Sequence, residues 1–338
     1  MQYKQLGTTE IQTSVVGFGA WAIGGWMWGG SDEKEAIRAI DAAVDCGINL
    51  IDTAPMYGYG RSEEIVGKAI AGKRDKIVLA TKCGLRWDTK DWQKGEGVLH
   101  FLGDDKGITS DGKFRVYKYL RPESIRWEVE RSLLRLKTDR IDLLQTHWQE
   151  ETTPIVATME TLLRLKEEGK IRAIGVSNVT VEHLQQYQAV GQVDVAQERF
   201  SLLDRQIEQN GILDFCKAND VSLLAYSPMA NGLLTGRLSP DRAFNEGDLR
   251  RENPRFSPEN IKRVNSMLQE FSNIAEKYRA SLGQIIIAWT AGQYEKTHVL
   301  CGARSDKQVA ENAPADDIVL TKEELQTINN VAAAAKIL

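Results

Sequence analysis

The sequence has few of the residues that build metal centres and disulfide frameworks. Its 338 residues include four cysteines and four histidines. Zinc sites and disulfide-rich folds need closely spaced ligands, but the chain has no CxxC pair, no Cys/His cluster and no HExxH motif. We therefore predict no protein metal site. We also predict reduced, mostly buried thiols at Cys46, Cys83, Cys216 and Cys301.

The sequence also lacks long apolar runs and long basic runs. No stretch approaches the roughly 18 apolar residues of a membrane span, and the first ten residues, MQYKQLGTTE, lack the apolar centre of a signal peptide. The formal net charge is -4, and no basic stripe indicates a nucleic-acid surface. These absences predict a cytoplasmic protein whose partner is a small molecule rather than a nucleic acid or a membrane.

What the chain does contain is a repeated alternation of strand-like and helix-like segments. With 42% hydrophobic residues it can bury a large core. Segments with helical periodicity, such as SDEKEAIRAIDAAVDCG, lie between short apolar segments. No linker interrupts this alternation, so we predict one (β/α)8 TIM barrel domain over residues 1–338. The eight apolar segments are SVVGFG, INLIDTA, KIVLATK, RIDLLQTH, IRAIGVSN, VDVAQERF, VSLLAYSP and THVLCGAR.

Two segments, residues 85–120 and 236–258, are longer than ordinary connections. Both follow strands on the face where barrels build their active sites. Each is either surface decoration or a lid over substrate or cofactor. The candidate contacts are Trp87, Trp92, His100 and Phe101 for a substrate wall, and Arg250, Arg251 and Arg255 for phosphate.

Four polar residues lie at the ends of predicted strands or in the loops that follow them. Asp52 and Tyr57 follow the second strand, Lys82 ends the third and His147 ends the fourth. Taken singly, each has an ordinary explanation as a turn former, a solvated charge or a structural histidine. Because side chains at the carboxyl ends of barrel strands converge on one pocket, we predict that the four form a proton-transfer site.

Several longer segments resemble those of the aldo-keto reductases. These are IDTAPMYGYGRSEEIVGKAI, ATK, LLQTHW, GKIRAIGVSN, YSPMANGLLTGR and GARSDKQVAEN, and the similarity runs through nearly the whole chain. It is closest to the bacterial general-purpose subgroup. The resemblance implies that hydride passes from a nicotinamide to an aldehyde or ketone, with sugar- and polyol-derived carbonyls among the candidates. It leaves open a cofactor-binding regulatory subunit, because one branch of the superfamily contains channel-associated β subunits.

Within that reaction the four polar residues have distinct expected roles. Tyr57 would donate the proton that the developing oxyanion needs. A free phenol has a pKa of about 10, and we expect the nearby Lys82 ammonium to lower that pKa. Asp52 would pair with Lys82 and hold it in position, and His147, expected to be neutral, would orient the carbonyl oxygen.

A glycine-rich segment near the start is a weak candidate for a dinucleotide site. Residues 17–22 fit GxGxxA after a strand, but the chain continues into WAIGGWMWGG, which has no helical period. We therefore do not predict a Rossmann fingerprint there.

The stronger phosphate candidate follows the eighth strand. That strand delivers Gly302, Ala303 and Arg304, and a helix is expected to begin at about Ser305. Backbone N–H groups at a helix start attract phosphate, and a guanidinium adds a matching fork. The alternative is that Ser305 and Gln308 form only a capping box and that Arg304 is exposed.

The resemblance assigns further contacts, with NADPH (NADP+) expected in preference to NADH. At the phosphates and adenine it implies Gly302, Ala303, Arg304, Gln308, Glu311 and Asn312. Around the nicotinamide carboxamide it implies Ser177, Asn178 and Gln197, with Tyr226 stacked on the ring. Along the pyrophosphate it implies Ser227, Met229, Asn231 and Leu233. The implied substrate contacts are Trp21, which also borders the nicotinamide, Tyr57, Trp87, His147 and Trp148. The oligomeric state is not predicted.

Overall fold

The central feature of the molecule is a closed barrel of eight parallel strands. A computed structural model describes residues 1–87, 97–335 and 337–338. The strands are β1 (Tyr3–Gln5), β2 (Gln12–Ser14), β3 (Val16–Gly19), β4 (Leu50–Asp52), β5 (Val78–Cys83), β6 (Leu85–Arg86), β7 (Val98–Gly103), β8 (Phe114–Lys118), β9 (Ile141–Thr146), β10 (Ile171–Ser177), β11 (Val195–Arg199), β12 (Ser222–Tyr226) and β13 (Thr297–Gly302). The barrel closes in the order β10-β11-β12-β13-β3-β4-β5-β9. Its strands come from the eight apolar segments of the sequence, so the predicted (β/α)8 TIM barrel is confirmed.

Helices lie between the barrel strands. They are α1 (Glu33–Asp45), α2 (Arg61–Ala69), α3 (Pro122–Leu136), α4 (Ile155–Glu167), α5 (Val181–Val190), α6 (Ile212–Ala218), α7 (Pro258–Gln269), α8 (Ser272–Tyr278), α9 (Leu282–Ala291), α10 (Asp306–Asn312) and α11 (Lys322–Ala334). Several begin at polar caps that the sequence supplies: the Asp32 side chain accepts from Glu35 N at α1, and Thr180 forms a capping box at α5.

The barrel interior is apolar in its middle and polar toward the carboxyl ends of its strands. Leu143, Ala173, Val195, Leu224 and Leu300 belong to one buried cluster from five different strands. The helices cover the outer surface, where larger clusters of buried aliphatic side chains pack against the sheet. This arrangement leaves the strand ends as the place where polar side chains can point inward.

A small hairpin lies at the amino ends of the barrel strands. Strands β1 and β2 pair antiparallel. The turn that connects them is anchored by a hydrogen bond from Gly7 N to Ser222 Oγ at 2.8 Å. Thr13 Oγ1 also lies 3.1 Å from His298 Nδ1, at the start of β13. The hairpin therefore occupies the end of the barrel opposite to the predicted active site.

The first long excursion contains strands that the sequence did not predict. Strands β6, β8 and β7 form an antiparallel sheet, in which Leu85 pairs with Lys118. The predicted wall residue Trp92 lies outside the described residues. The second excursion packs against the segment after β3, because Leu249 N donates to Met27 O at 3.0 Å, and a Lys106–Glu246 ion pair joins the two excursions.

Two simpler expectations also bear on the fold. Cys83, Cys216 and Cys301 are buried free thiols, whereas Cys46 is exposed at the end of α1, so most of the cysteines are buried as predicted. Within the described ranges, none of the helices has the length and apolarity needed to cross a membrane.

Candidate active site

Lys82 is the centre of the predicted catalytic group. It ends β5 with only 1% of its surface exposed. Its Nζ donates to Asp52 Oδ1 at 2.7 Å, to the Thr53 carbonyl oxygen at 2.9 Å and to Tyr57 Oη at 3.1 Å. All three ammonium hydrogens thus have an acceptor, which fixes the cation in one position. The structure brings Asp52, Lys82 and Tyr57 into direct contact.

Burial and the Lys82 charge act in opposite directions on the pKa of Tyr57. Burial raises the pKa of the Tyr57 phenol and the Lys82 ammonium lowers it, and the net direction is upward. Lys82 thus lowers the pKa of Tyr57 as expected, but desolvation of the phenolate outweighs the cation, which the sequence did not predict. For Lys82, burial lowers the pKa and the Asp52 carboxylate raises it. The net direction is upward, so the amine stays charged. At neutral pH the pair is a neutral phenol beside an ammonium.

His147 faces Tyr57 from the end of β9. The two rings meet edge to face with centroids 5.8 Å apart. Burial, followed by the positive charge of Lys82, holds the pKa of His147 well below its usual range. The imidazole is therefore neutral, as predicted, and its single N–H can donate to a carbonyl oxygen while the other ring nitrogen only accepts.

The second oxygen of Asp52 receives two side-chain amides. Gln145 Nε2 donates to Asp52 Oδ2 at 3.0 Å, and Gln197 Nε2 donates to the same oxygen at 2.9 Å. Gln197 Nε2 also donates to Gln145 Oε1 at 3.2 Å. Gln197 therefore lies against the catalytic carboxylate, a contact that the sequence did not predict. Gln145 was missed altogether, although its place two residues before His147 in β9 puts both on the same face.

A second hydrogen-bonded group continues around the strand ends. Ser177 Oγ donates to the Gln197 carbonyl oxygen at 2.7 Å, and Asn178 Nδ2 donates to the His147 carbonyl oxygen at 2.9 Å. Tyr226 Oη donates to Asn178 Oδ1 at 2.8 Å. Asn178 has a positive φ of 55°, which asparagine tolerates better than most residues. These side chains connect the ends of β9, β10, β11 and β12.

A cavity of about 380 Å³ begins beside Asp52 and Tyr57 and extends to α10. Its lining includes most of the predicted cofactor contacts: Trp21, Tyr226, Ser227, Met229, Asn231, Gly302, Ala303, Arg304, Gln308, Glu311 and Asn312. Ser177, Asn178, Gln197 and Leu233 are not part of this lining, and Leu233 is buried in the core between barrel and helices. The roles assigned to these residues remain predictions.

The far end of the cavity is rich in guanidinium groups. Arg250 is held by Asp248 through two hydrogen bonds of 2.9 and 2.7 Å and lies over the Trp28 ring at 5.1 Å. Arg304 Nη1 donates to the Trp28 carbonyl oxygen at 3.2 Å. Burial and the neighbouring Arg250 charge lower the pKa of Arg304. Two crowded cations favour an anion at this end of the cavity.

The start of α10 combines a helix cap with a cavity contact. Ser305 Oγ accepts from Gln308 N at 3.5 Å, but Gln308 Oε1 accepts from Arg304 N at 2.7 Å rather than from Ser305 N. The expected reciprocal capping box is thus shifted by one residue. Arg304 is partly buried and lines the cavity, so it is not the exposed side chain of the second alternative, and phosphate binding at this segment remains a prediction.

The arginines of the second excursion have different positions. Arg255 donates to Asp204 Oδ1 at 3.0 Å and to the Leu338 carbonyl oxygen at 2.9 Å, away from the cavity. Arg251 lies beside a separate surface groove and is exposed. The expectation that all three could meet phosphate is therefore wrong for these two, and Arg250 is the one that lines the cavity.

The other side of Tyr57 is bordered by aromatic rings. Trp21 lies 6.1 Å from the Tyr57 ring, and Trp148 lies 5.0 Å from His100, both measured between centroids. Trp87 and Phe101 belong to an apolar cluster with Trp148. Of the predicted substrate contacts, Trp21 lines the cavity beside Tyr57, whereas Trp87 and Trp148 belong to the aromatic cluster outside its lining. Trp28, which lines the cavity edge-on to Trp21, was not predicted; the repeated tryptophans of WAIGGWMWGG were its only signal.

The described part of the chain contains no group of three or more His, Cys, Asp or Glu side chains that could hold a metal ion. The polar groups around Lys82 are instead paired with one another. The arrangement can donate a proton from Tyr57 and can bind an anion near Arg304.

Comparisons with known proteins agree with this geometry. The sequence profile of the aldo/keto reductase family matches residues 15–333. The NADH-specific methylglyoxal reductase of Escherichia coli is 39% identical over 340 residues, which cover 99% of each chain. The glycerol dehydrogenase AKR11B4 of Gluconobacter oxydans superposes with a TM-score of 0.85 and 37% identity, covering 99% of this chain and 96% of that one. An aldo/keto reductase of Klebsiella pneumoniae in complex with NADP and acetate has a TM-score of 0.71 and 26% identity, with 98% and 95% coverage.

Proposed function

Because this chain belongs to the aldo/keto reductase family, we propose that it reduces a small aldehyde or ketone to an alcohol with NADPH, and that Tyr57 is the proton donor. The observation that carries the proposal is the contact of Lys82 Nζ with both Asp52 and Tyr57 beside a cavity that leads to Arg304. That the protein is an oxidoreductase of this family does not depend on which nicotinamide cofactor it uses.

The chemistry of the cavity lining supports a nicotinamide dinucleotide. Trp21 and Tyr226 line it near the catalytic group and offer aromatic faces to a flat ring. Arg250 and Arg304 line the opposite end, where phosphates would meet two guanidinium groups. When bound there, the reduced cofactor supplies hydride to the carbonyl carbon.

The side chains of this chain then handle the oxygen and its proton. As the carbonyl oxygen gains negative charge, the Tyr57 O–H bond breaks and its proton moves to that oxygen. The resulting phenolate is stabilised by the Lys82 ammonium, 3.1 Å from Tyr57 Oη. Asp52 holds the ammonium in place, and neutral His147 orients the substrate oxygen before transfer.

The preference for NADPH over NADH rests on Arg304. Its guanidinium lies beside Arg250 with a lowered pKa, and a 2′-phosphate would relieve the repulsion between them. The Escherichia coli relative is described as NADH-specific, whereas the Klebsiella pneumoniae relative was solved with NADP. Both cofactors therefore belong in the test.

The testing experiment measures initial rates of NADPH and NADH oxidation with a panel of aldehydes, aldoses and ketoses. Methylglyoxal belongs in the panel, and glycerol is tested in the oxidising direction, since two relatives carry these names. We expect turnover that is faster with NADPH. Turnover only with NADH would contradict the cofactor assignment, and tight NADPH binding without turnover would favour the regulatory subunit.

We predict that Tyr57→Phe lowers the rate of carbonyl reduction by roughly 10²- to 10⁴-fold, the scale of a lost general acid. Stopped-flow measurement of NADPH oxidation gives that rate. The matched control is Tyr278→Phe. Tyr278 lies on α8, outside the cavity lining, and the substitution removes a hydroxyl that donates a hydrogen bond to the Val319 carbonyl oxygen. Activity of Tyr57→Phe within a few-fold of the parent would disprove the assigned role.

A further inference from the structure

Gln145 is hydrogen-bonded to two of the predicted site residues, Asp52 and Gln197. Its side chain is fully buried at the end of β9. Its amide nitrogen donates to Asp52 Oδ2, and its amide oxygen accepts from Gln197 Nε2. A buried amide whose donor and acceptor both have polar partners has a fixed orientation, because turning it over would break both hydrogen bonds.

The neighbouring strand makes room for this side chain. Gly175 of β10 is the register partner of Gln145 in β9. A Cβ atom at Gly175 would lie 2.7 Å from Gln145 Cγ, closer than van der Waals contact allows. Since Gly175 has no positive φ, its backbone conformation does not require glycine. The absence of a side chain at Gly175 therefore leaves the space that the Gln145 side chain occupies.

Both oxygens of Asp52 are held, and Gln145 contacts one of them, Oδ2. Oδ1 receives the Lys82 ammonium, and Oδ2 receives the two glutamine amides. A carboxylate held at both oxygens cannot rotate away from its cation, and hydrogen bonds to its charged form offset the cost of its burial. Gln145 thus acts on Tyr57 through Asp52 and Lys82.

The same residue fixes the amide of Gln197. The two hydrogens on Gln197 Nε2 point at Asp52 Oδ2 and at Gln145 Oε1. The carbonyl oxygen of the Gln197 side chain is then the end available to accept from a ligand amide. Gln145 therefore lies between the part that donates the proton and the part that the resemblance assigns to the nicotinamide.

We propose that Gln145 is a positioning residue of this enzyme, which holds Asp52 against Lys82 and sets the orientation of Gln197. The proposal rests on the proposed function. If it is right, Gln145→Met lowers kcat for carbonyl reduction by about 10- to 100-fold, the range expected for losing a hydrogen bond to a charged group. The dissociation constant of NADPH, measured by fluorescence titration, stays within about threefold of the parent.

A double-mutant cycle separates positioning from general structural damage. Because Gln145 acts through Asp52, Gln145→Met in an Asp52→Ala background costs less than about threefold in kcat. The control is Asn260→Leu, which removes another buried amide, one that donates to the Arg255 carbonyl oxygen. Equal losses from Gln145→Met in both backgrounds, or a similar kcat loss in the control, would overturn the proposal. Should Asp52→Ala not fold, Asp52→Asn replaces it as the background.

A second cycle needs no turnover. Urea unfolding of the same four proteins measures whether Gln145 and Asp52 are energetically coupled in the folded state. We expect Gln145→Met to lower the unfolding midpoint by at most half as much in the Asp52→Ala background as in the parent; additive effects would overturn the contact. If no carbonyl is reduced by the parent protein, the proposed function fails, but this cycle still decides whether Gln145 holds Asp52.

Discussion

Arg304 is a single side chain that lies between two recesses of the surface. It lines the cavity that leads to Tyr57, and it also borders a second recess formed with Asp32, Glu35 and Gln308. Its hydrogen bond to the Trp28 carbonyl oxygen holds it at this boundary. A phosphate bound from either side would meet the same guanidinium.

We predict that Arg304→Ala weakens NADPH binding by about 1.5–3 kcal/mol, the scale of hydrogen bonds to a charged group, and leaves NADH binding nearly unchanged. Fluorescence titration with both cofactors measures the difference. Arg251→Ala, which removes an exposed arginine of the second excursion, outside the cavity lining, is the control. An equal loss for both cofactors in Arg304→Ala would rule out the assignment to the 2′-phosphate.

At this scale the sequence predicted which polar side chains meet better than it predicted their environment. Asp52, Tyr57, Lys82 and His147 could be expected to converge because each lies at or just after the end of a recognisable strand. The pKa direction of Tyr57 could not be predicted, since it depends on how much water burial removes. Gln145 was missed because a glutamine within an apolar strand has no motif; the alternation of β9 was the available signal.

At the scale of elements, the loop that holds Tyr57 is packed directly against another backbone segment. A 3-10 turn at Ala22–Gly24 follows β3, and Gly24 lies so close that a Cβ atom there would be 2.7 Å from the Tyr57 carbonyl oxygen. Ser62 ties the two segments together, because its hydroxyl donates to the Ala20 carbonyl oxygen at 2.8 Å. The position of the phenol therefore depends on the segment after β3.

We predict that Gly24→Ala displaces Tyr57 and lowers kcat by roughly tenfold, since small displacements of a reacting group are costly. NADPH affinity should change less than kcat, because the phosphate end of the cavity is built by other elements. Steady-state kinetics with fluorescence titration measures both quantities. Gly107→Ala, at a glycine with open space around it, is the control. Unchanged kcat in Gly24→Ala would show that the loop adapts without moving the phenol.

The elements themselves were predictable to different degrees. The barrel strands and helix α1 follow local patterns of apolar and polar residues, so the sequence located them. The sheet β6-β8-β7 forms within residues 85–118, where short strands alternate with sequence rich in charged residues and glycine. Local patterns carry little information about such pairing.

At the scale of the whole molecule, buried histidine links stability to pH. His298 is fully buried near the amino end of β13, where its ring contacts the Ser14 carbonyl oxygen at 3.1 Å. Burial lowers the pKa of His298 to about 4, from an ordinary value of 6.5. Below pH 6.5 the unfolded chain therefore binds a proton that the folded protein does not, and stability falls as the pH decreases toward 4.

We predict that between pH 7.5 and pH 5 this one residue removes about 2 kcal/mol from the free energy of unfolding. In His298→Asn, which keeps a donor for the Ser14 carbonyl oxygen, the decrease should be smaller by that amount. Comparing variant with parent is necessary because burial raises the pKa of Glu198 to about 7, which stabilises the fold at lower pH. Urea titrations at both pH values give the numbers; identical decreases would contradict the prediction.

The antiparallel sheet of the first excursion has a further consequence. It leaves the barrel at Leu85 and returns at Lys118, and these two residues are paired neighbours. The two ends of the insertion thus join the barrel side by side, while Lys82 lies in the barrel before the first of them. An insertion of different length and sequence could start and end at the same two positions without stretching the barrel strands, so this part of the chain can be exchanged while the group around Lys82 stays in place.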